Sequence, residues 1–427
     1  MSKQAATHAT APKSSRHLRP SDLRATANLA VEATHGVTHM AEGVHQAVWG
    51  SLGVPGGAQP GQTRGLTGFV YRAVHGVTTL VGHALEAAFT RLEPMLESLV
   101  DAPPETPERE AVLAALNGVL GDRLAQQHNP LATPMTLRLN GQALNWQTPI
   151  VTPSTALRGQ VLILIHGLCM NDLQWRTQSN SPDALAHDHG QMLAQALGYT
   201  PIYVRYNTGL HTSENGALFS AQLEQLVNHW PVGLTELRVL AHSMGGLVTR
   251  SALHHARQNQ LQWPDKLKAI VFLGTPHHGA PLERAGNWLD VVLGATPYSR
   301  PFAKLGQMRS AGITDLRYGL LLASDWEGRD RFRRQPDQRT HLPLPPGVAC
   351  FAVAANTAKQ RSPLAERLLG DGLVPPDSAL GQHPDAQRCL NFPKARQHMA
   401  YGTHHMQLLS SLAVGAQVLQ WLRPPAP

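Results

Sequence analysis

Along the chain the apolar positions switch from a helical to an alternating period. From Ser21, which reads as an N-cap, Val37, Met40, Val44 and Val48 share one helical face, as do Val70, Val74, Val77 and Val81 further on. The two stretches resemble each other: Ala33-Thr-His-Gly-Val-Thr38 recurs as Ala73-Val-His-Gly-Val-Thr78, with a turn-rich linker, residues 53–61, between them. A third helix is predicted from Thr106 as N-cap, with Pro107 at the first helical position and Glu108 and Glu110 favouring the positive end of its dipole. Residues 1–20, basic and polar, read as a disordered tail. Two uses of the helices over 21–130 stand side by side: a hairpin packed on the rest of the chain or on a second copy, and an anchor lying on a lipid surface. The first is preferred, because the polar faces carry His, Thr and Glu more than Lys or Arg.

From about residue 131 short apolar runs replace the helical stripe. Residues 136–139 and 142–146 flank Asn140-Gly141, a hairpin signature. Strands are then predicted at 161–165, 202–206, 237–240, 269–273 and 349–353, with helices around 182–197, 216–230 and 245–258 between them. Strands alternating with helices imply βαβ units and a mostly parallel sheet, so the fold class is α/β. The alternation lapses between Pro281 and Pro346, which reads as an insertion capping the sheet. Its Leu282, Trp288, Leu289, Val291, Val292 and Leu293 either line a channel over the sheet or pack the insertion down.

Composition narrows the function. With 42 % apolar and 15 % charged residues in 427, the chain is globular. Its formal charge of +7 suits acidic surfaces, but the basic residues are scattered and no nucleic-acid module is present. Cys169, Cys350 and Cys389 are too few and too dispersed for a disulfide framework or a zinc site. His35 and His39, at i and i+4, lack further ligands and read as surface residues. No run approaches the roughly 18–20 apolar residues that span a bilayer, and the N-terminus lacks the apolar core of a secretory signal. The expectation is a cytoplasmic enzyme, peripheral to a membrane if the helices are an anchor.

The chemistry concentrates in four segments. Leu240-Ala-His-Ser-Met-Gly-Gly246 lies between a predicted strand and helix, the setting of a nucleophile elbow that lifts the Ser243 hydroxyl above a sheet; Ala241 replaces the usual first glycine of G-x-S-x-G. Ile165-His-Gly-Leu168 ends an earlier strand, where one backbone N–H of an oxyanion hole is offered; Leu168 and Met244 are the two donors expected. Cys169 next door reads as a bystander thiol. Leu369-Gly-Asp-Gly372 puts Asp371 on a tight loop downstream of the serine, where the triad order Ser, Asp, His requires the acid. The base is His405 or its neighbour His404; His405 is preferred, because Leu408 and Leu409 then fall on the buried side of the last helix.

Together with Gly274-Thr-Pro-His-His-Gly279, these segments resemble bacterial triacylglycerol lipases and esterases and the related GPI inositol-deacylase-like hydrolases, over residues 135–422. The resemblance implies an α/β-hydrolase fold with a lid and an N-terminal helical extension, and cleavage of acyl-ester or lipid substrates by Ser243, Asp371 and His405. It also implies a pocket lined by His166, Thr275, His277 and His278. Lipases of this kind can carry calcium or zinc, but no ligand set matches residue by residue, so neither metal nor cofactor is expected. An acyltransferase or intracellular polyester depolymerase would use the same triad. A binding protein without catalysis would not need it.

Overall fold

A computed structural model describes residues 105, 107–148, 150, 157–176, 187–280, 309–331, 337–358 and 370–423. The paired helical stretches over 21–100 and the apolar residues of the insertion from Leu282 to Leu293 lie outside the described residues. The chain divides into two compact units, Met1–Arg109 with Asn129–Leu131, and Glu110–His128 with Ala132–Pro427. The second holds the whole sheet.

Eight strands form that sheet among the described residues, in the order β2-β1-β4-β3-β5-β6-β7-β8. They are β1 (Thr136–Leu139), β2 (Gln142–Ala143), β3 (Gln160–Ile165), β4 (Thr200–Arg205), β5 (Glu236–His242), β6 (Leu267–Leu273), β7 (Ala349–Asn356) and β8 (Gln397–Tyr401). The β1–β2 hairpin turns at Asn140 and Gly141, whose φ angles of 54° and 82° are those of the Asn-Gly turn its sequence demands. β1 runs antiparallel to β4; from β4 across to β8 every pairing is parallel. Val161–Ile165 are fully buried, as the helices on both faces of a parallel sheet require. At roughly 1.5–3 kcal/mol per buried aliphatic side chain, this run contributes on the order of 10 kcal/mol to a core that runs across the whole sheet.

Helices α1 (Pro107–Gln126), α2 (His189–Leu197), α3 (Thr212–His229), α4 (Met244–Gln258), α5 (Ala311–Asp315) and α6 (Leu412–Leu422) surround it. The Asp188 carboxylate caps α2, accepting from the Gly190 and Gln191 amides at 2.8 and 3.2 Å, and takes the Tyr203 hydroxyl of β4 at 2.7 Å. One side chain thus starts a helix and fixes it to the sheet. From Glu110 on, α1 belongs to the same unit: Glu110 meets Arg205 at the end of β4 at 2.7 Å, and Arg205 also donates to Asp172. All three side chains are at most 6 % exposed, so each charge depends on its partners.

In register, Ile165 of β3 pairs with Ala241 of β5, and His242 with Leu273 of β6. The carboxyl ends of β3, β5 and β6 therefore finish level, and the loops leaving them meet at one edge of the sheet. Open α/β sheets bind their ligands at that edge.

Candidate active site

At the end of β5 the chain enters α4 through Ser243, whose φ of 53° and ψ of −124° no L-residue adopts freely. Such a conformation costs on the order of 1–3 kcal/mol and persists only where the surroundings impose it. Here the Ser243 amide is held by the Leu273 carbonyl at 2.8 Å. The hydroxyl is projected above the sheet edge, as a strand-turn-helix elbow requires. Gly167 abuts it: a Cβ at that position would come within 2.8 Å of the Ser243 Cβ and 3.4 Å of its Oγ. Any larger residue there would occupy the serine's space.

Asp371 and His405 come together from loops far apart in sequence. His405 Nδ1 lies 2.6 Å from Asp371 Oδ2, and both side chains are at most 4 % exposed. The other carboxylate oxygen accepts from the Leu373 and Val374 amides at 2.9 and 2.7 Å. A second tie joins the loops, the His405 amide donating to the Asp371 carbonyl at 3.0 Å. The imidazole is thus oriented by a carboxylate that is itself oriented. Gly274 follows Leu273, the residue that holds the serine amide; a Cβ on it would sit 3.0 Å from His405 Cε1, and its φ of 59° also favours glycine. Ser243 and His405 therefore flank the same turn at the end of β6. His404 is exposed and has no such partner; its amide bonds to Gln407 at the start of the 3₁₀ turn His405–Leu409, while Leu408 and Leu409 are buried.

Among the described residues neither the Leu168 nor the Met244 amide meets a protein acceptor. Met244 is the first residue of α4, where amides point out of the helix unpaired. Cys169 turns the chain at a φ of 58° and spends its own amide on Thr208 Oγ1 at 3.1 Å. Burial pushes its thiol up to about 12, which leaves it unreactive.

The four pocket-lining expectations fare differently. His166 is wholly buried, stacked on Tyr206 with ring centroids 4.5 Å apart, and burial lowers it to about 4. Its neutral ring fills space under the loop that carries Leu168. Thr275 is wholly buried behind Gly246. His277 and His278 are drawn instead to Arg250 and Arg339: Arg250 Nη1 lies 3.4 Å from His277 Nδ1, and Arg339 donates to His278 Nδ1 at 2.7 Å. His242, which the sequence did not single out, also reaches the site. Its ring centroid lies 4.8 Å from that of His405, and its Nε2 faces the His405 carbonyl at 3.3 Å. Burial and then the neighbouring His405 hold His242 well below the usual histidine range, so it stays neutral. Its place as the variable residue of A-x-S-x-G was the available signal.

Of the insertion, the described part includes α5, whose Gly312 packs near the Met244 side chain and whose start is bonded to Asp122 of α1. No group of three or more metal-ligating side chains converges among the described residues, and no helix there is long and apolar enough to cross a membrane.

Residues 156–341 match the family described as PGAP1, PGAP1-like alpha/beta domain. No curated protein matches the chain. Among solved structures, the mature Bacillus licheniformis lipase BlEst2 is similar at 18 % identity, with 67 % of this chain and 99 % of that one covered and a TM-score of 0.38. The Pyrobaculum calidifontis esterase is similar at 14 % identity, 63 % and 76 % coverage and 0.36. A bacterial heroin esterase is similar at 18 %, 74 % and 89 %, and 0.35. At these values the structural likenesses say nothing of what this chain acts on. The elbow, the mostly parallel sheet and the matched domain together are those of the α/β-hydrolase fold.

Proposed function

We propose that the chain hydrolyses carboxylic esters, with Ser243 as nucleophile, His405 as general base and Asp371 as the group that orients it. The observation that carries this reading is the buried 2.6 Å contact between His405 and Asp371 beside the strained serine elbow. An imidazole whose Nδ1–H is spent on a carboxylate presents a bare Nε2, the tautomer that accepts a proton from serine. As the Ser243 oxygen attacks the ester carbonyl carbon, its proton passes to His405 and the carbonyl becomes an oxyanion. The Leu168 and Met244 amides are the donors assigned to that charge; unpaired before reaction, they need no reorganisation to bind it. Collapse expels the alcohol, which takes the proton from His405 and leaves an acyl-serine. Water, deprotonated by the same imidazole, then releases the acid and restores the serine. An acyl-ester or lipid substrate is the class this site fits.

The test is Ser243→Ala against wild type, with p-nitrophenyl esters of graded acyl length and a fluorophosphonate probe. Loss of about 10⁵–10⁶ in kcat with unchanged folding, and of all labelling, is expected. Equal labelling of both proteins would refute the assignment.

A further inference from the structure

Beside α4 and the loop that leaves β6 lies a small, partly open pocket with an unusual wall. Arg250, Arg339, Arg388, His277, His278 and His341 line it, and none of its described lining groups is acidic. They come from four stretches distant in sequence: α4, the 274–279 loop, the segment before β7, and the turn at 386–388. Asp337 serves two of the guanidinium groups from outside, lying 3.2 Å from Arg339 and 3.1 Å from Arg388. Arg250 has no carboxylate partner among the described residues. Its Nη2 donates to the Leu342 carbonyl, and its Nε is buried without any acceptor, as is Nε2 of His277. Arg250 is only 6 % exposed and His277 1 %.

A buried guanidinium without a counter-charge is costly, and native structures pair such groups. Burial, and after it the nearby Arg339, pull Arg250 down to about 9, so at neutral pH the charge is still there to be matched. His277 and His278 are held low by burial and by these arginines, which leaves them as neutral hydrogen-bond donors around the cationic groups. Fixed planar donor forks with neutral donors between them fit a tetrahedral oxyanion, which can accept from several directions at once.

We propose that this pocket is a binding site for a small oxyanion of the phosphate class, held by Arg250 and by the partly exposed Arg388, while Arg339, bonded to Asp337, His278 and the His277 carbonyl, adds charge and fixes the wall. The anion supplies the counter-charge that Arg250 lacks and fastens the 337–342 segment to the helix that starts at the nucleophile. Arg250 lies seven residues along α4 from Ser243, about 10 Å at 1.5 Å per residue, so the site is separate from the elbow. Nothing in the assignment depends on the ester chemistry above.

Calorimetric titration of the full chain with inorganic phosphate near pH 7.5, against sodium chloride of matched ionic strength, tests it. Saturable binding of one phosphate is expected, with thermal stability rising as phosphate is added. Arg250→Gln should weaken the binding about 10–100-fold, the worth of a hydrogen bond to a charged group, and cancel the thermal shift. Arg388→Gln, at a partly exposed side chain, should weaken it several-fold and guards against a misfolded Arg250 variant. Phenyl phosphate separates the sources: its exclusion identifies free phosphate, and its equal binding identifies the terminal phosphate of a larger ester. The proposal falls if folded wild type shows no saturable heat, or if both variants bind as tightly as wild type. It also falls if chloride gives the same shift, since that is an adventitious ion only.

Discussion

Replacing Asp371 by asparagine changes one atom, and the geometry dictates what that atom does. In the native site one carboxylate oxygen accepts from the Leu373 and Val374 amides, and the other faces His405 Nδ1. An asparagine must keep its carbonyl oxygen toward the two amides, because its NH₂ group there would confront two donors. The NH₂ is therefore turned toward His405 and donates to Nδ1. That selects the imidazole tautomer with its proton on Nε2, which cannot accept one from Ser243. The shape of the loop is preserved, so the expected effect falls on kcat, by about 10⁴, or roughly 5 kcal/mol of transition-state stabilisation. KM for a p-nitrophenyl ester should stay within a few-fold, and the urea midpoint close to that of wild type. Steady-state kinetics with an unfolding curve on the same preparation measure all three. Activity within tenfold of wild type would mean that Asp371 does not set the tautomer, and the proposed mechanism would lose its orienting group.

Two further outcomes rest on the same kind of contact. His405→Ala should be nearly as inactive as the serine variant, while His404→Ala, at an exposed side chain, should keep most of its activity; the opposite pattern in ester assays would transfer the role of base. Stability should also drain in acid: burial holds the rings of His166 and His189 near 4, below their ordinary 6.5, so unfolding takes up protons between those values. Their contribution is complete above about pH 6.5 and is lost as pH falls toward 4, by roughly 3 kcal/mol per ring. Urea midpoints at pH 7.5 and 4.5 read it, and His189→Gln should shrink the difference; identical pH dependence in that variant would place the effect elsewhere.

The central strands could be read in the sequence because they are buried on both faces. Val161–Ile165 and Ala269–Leu273 are unbroken apolar runs, and a parallel sheet covered by helices leaves no other place for them. β8 was not legible, because Gln397-His-Met-Ala-Tyr401 is half-covered and polar at its start, and only pairing with β7 makes it a strand. The elbow was legible because a tight strand-to-helix turn constrains neighbouring residues in sequence. That Asp371 and His405 would be partners was suggested by chain order and by the glycines around Asp371, and the structure brings the two side chains into contact. The choice of His405 over His404 depended on where two leucines would be buried, which the structure bears on directly: both are covered, and the Asp371 contact falls to His405.

The basic cavity had no such trace, and the reason is physical. A nucleophile elbow is a local device, whereas a counter-charge site is built from single residues whose proximity exists only after folding. Arg250 sits in a helix where nothing in the sequence distinguishes it from a surface arginine, and Arg339 and Arg388 lie in irregular stretches with no period to betray them. In the sequence the basic residues look scattered, and a net charge of +7 is spread along the chain. Folding sets three arginines around one small space while placing Asp337 outside it, so charge that is diffuse in sequence becomes concentrated in structure. His277 and His278 illustrate the same transfer. The family resemblance placed them on the wall of the ester pocket, and in the structure one nitrogen of each ring, Nδ1, faces Arg250 or Arg339. A loop that leaves a strand end can serve the nucleophile with its first residue and a different ligand with its fourth and fifth. Position relative to a motif therefore predicts the neighbourhood of a side chain, while the charges around it decide its role.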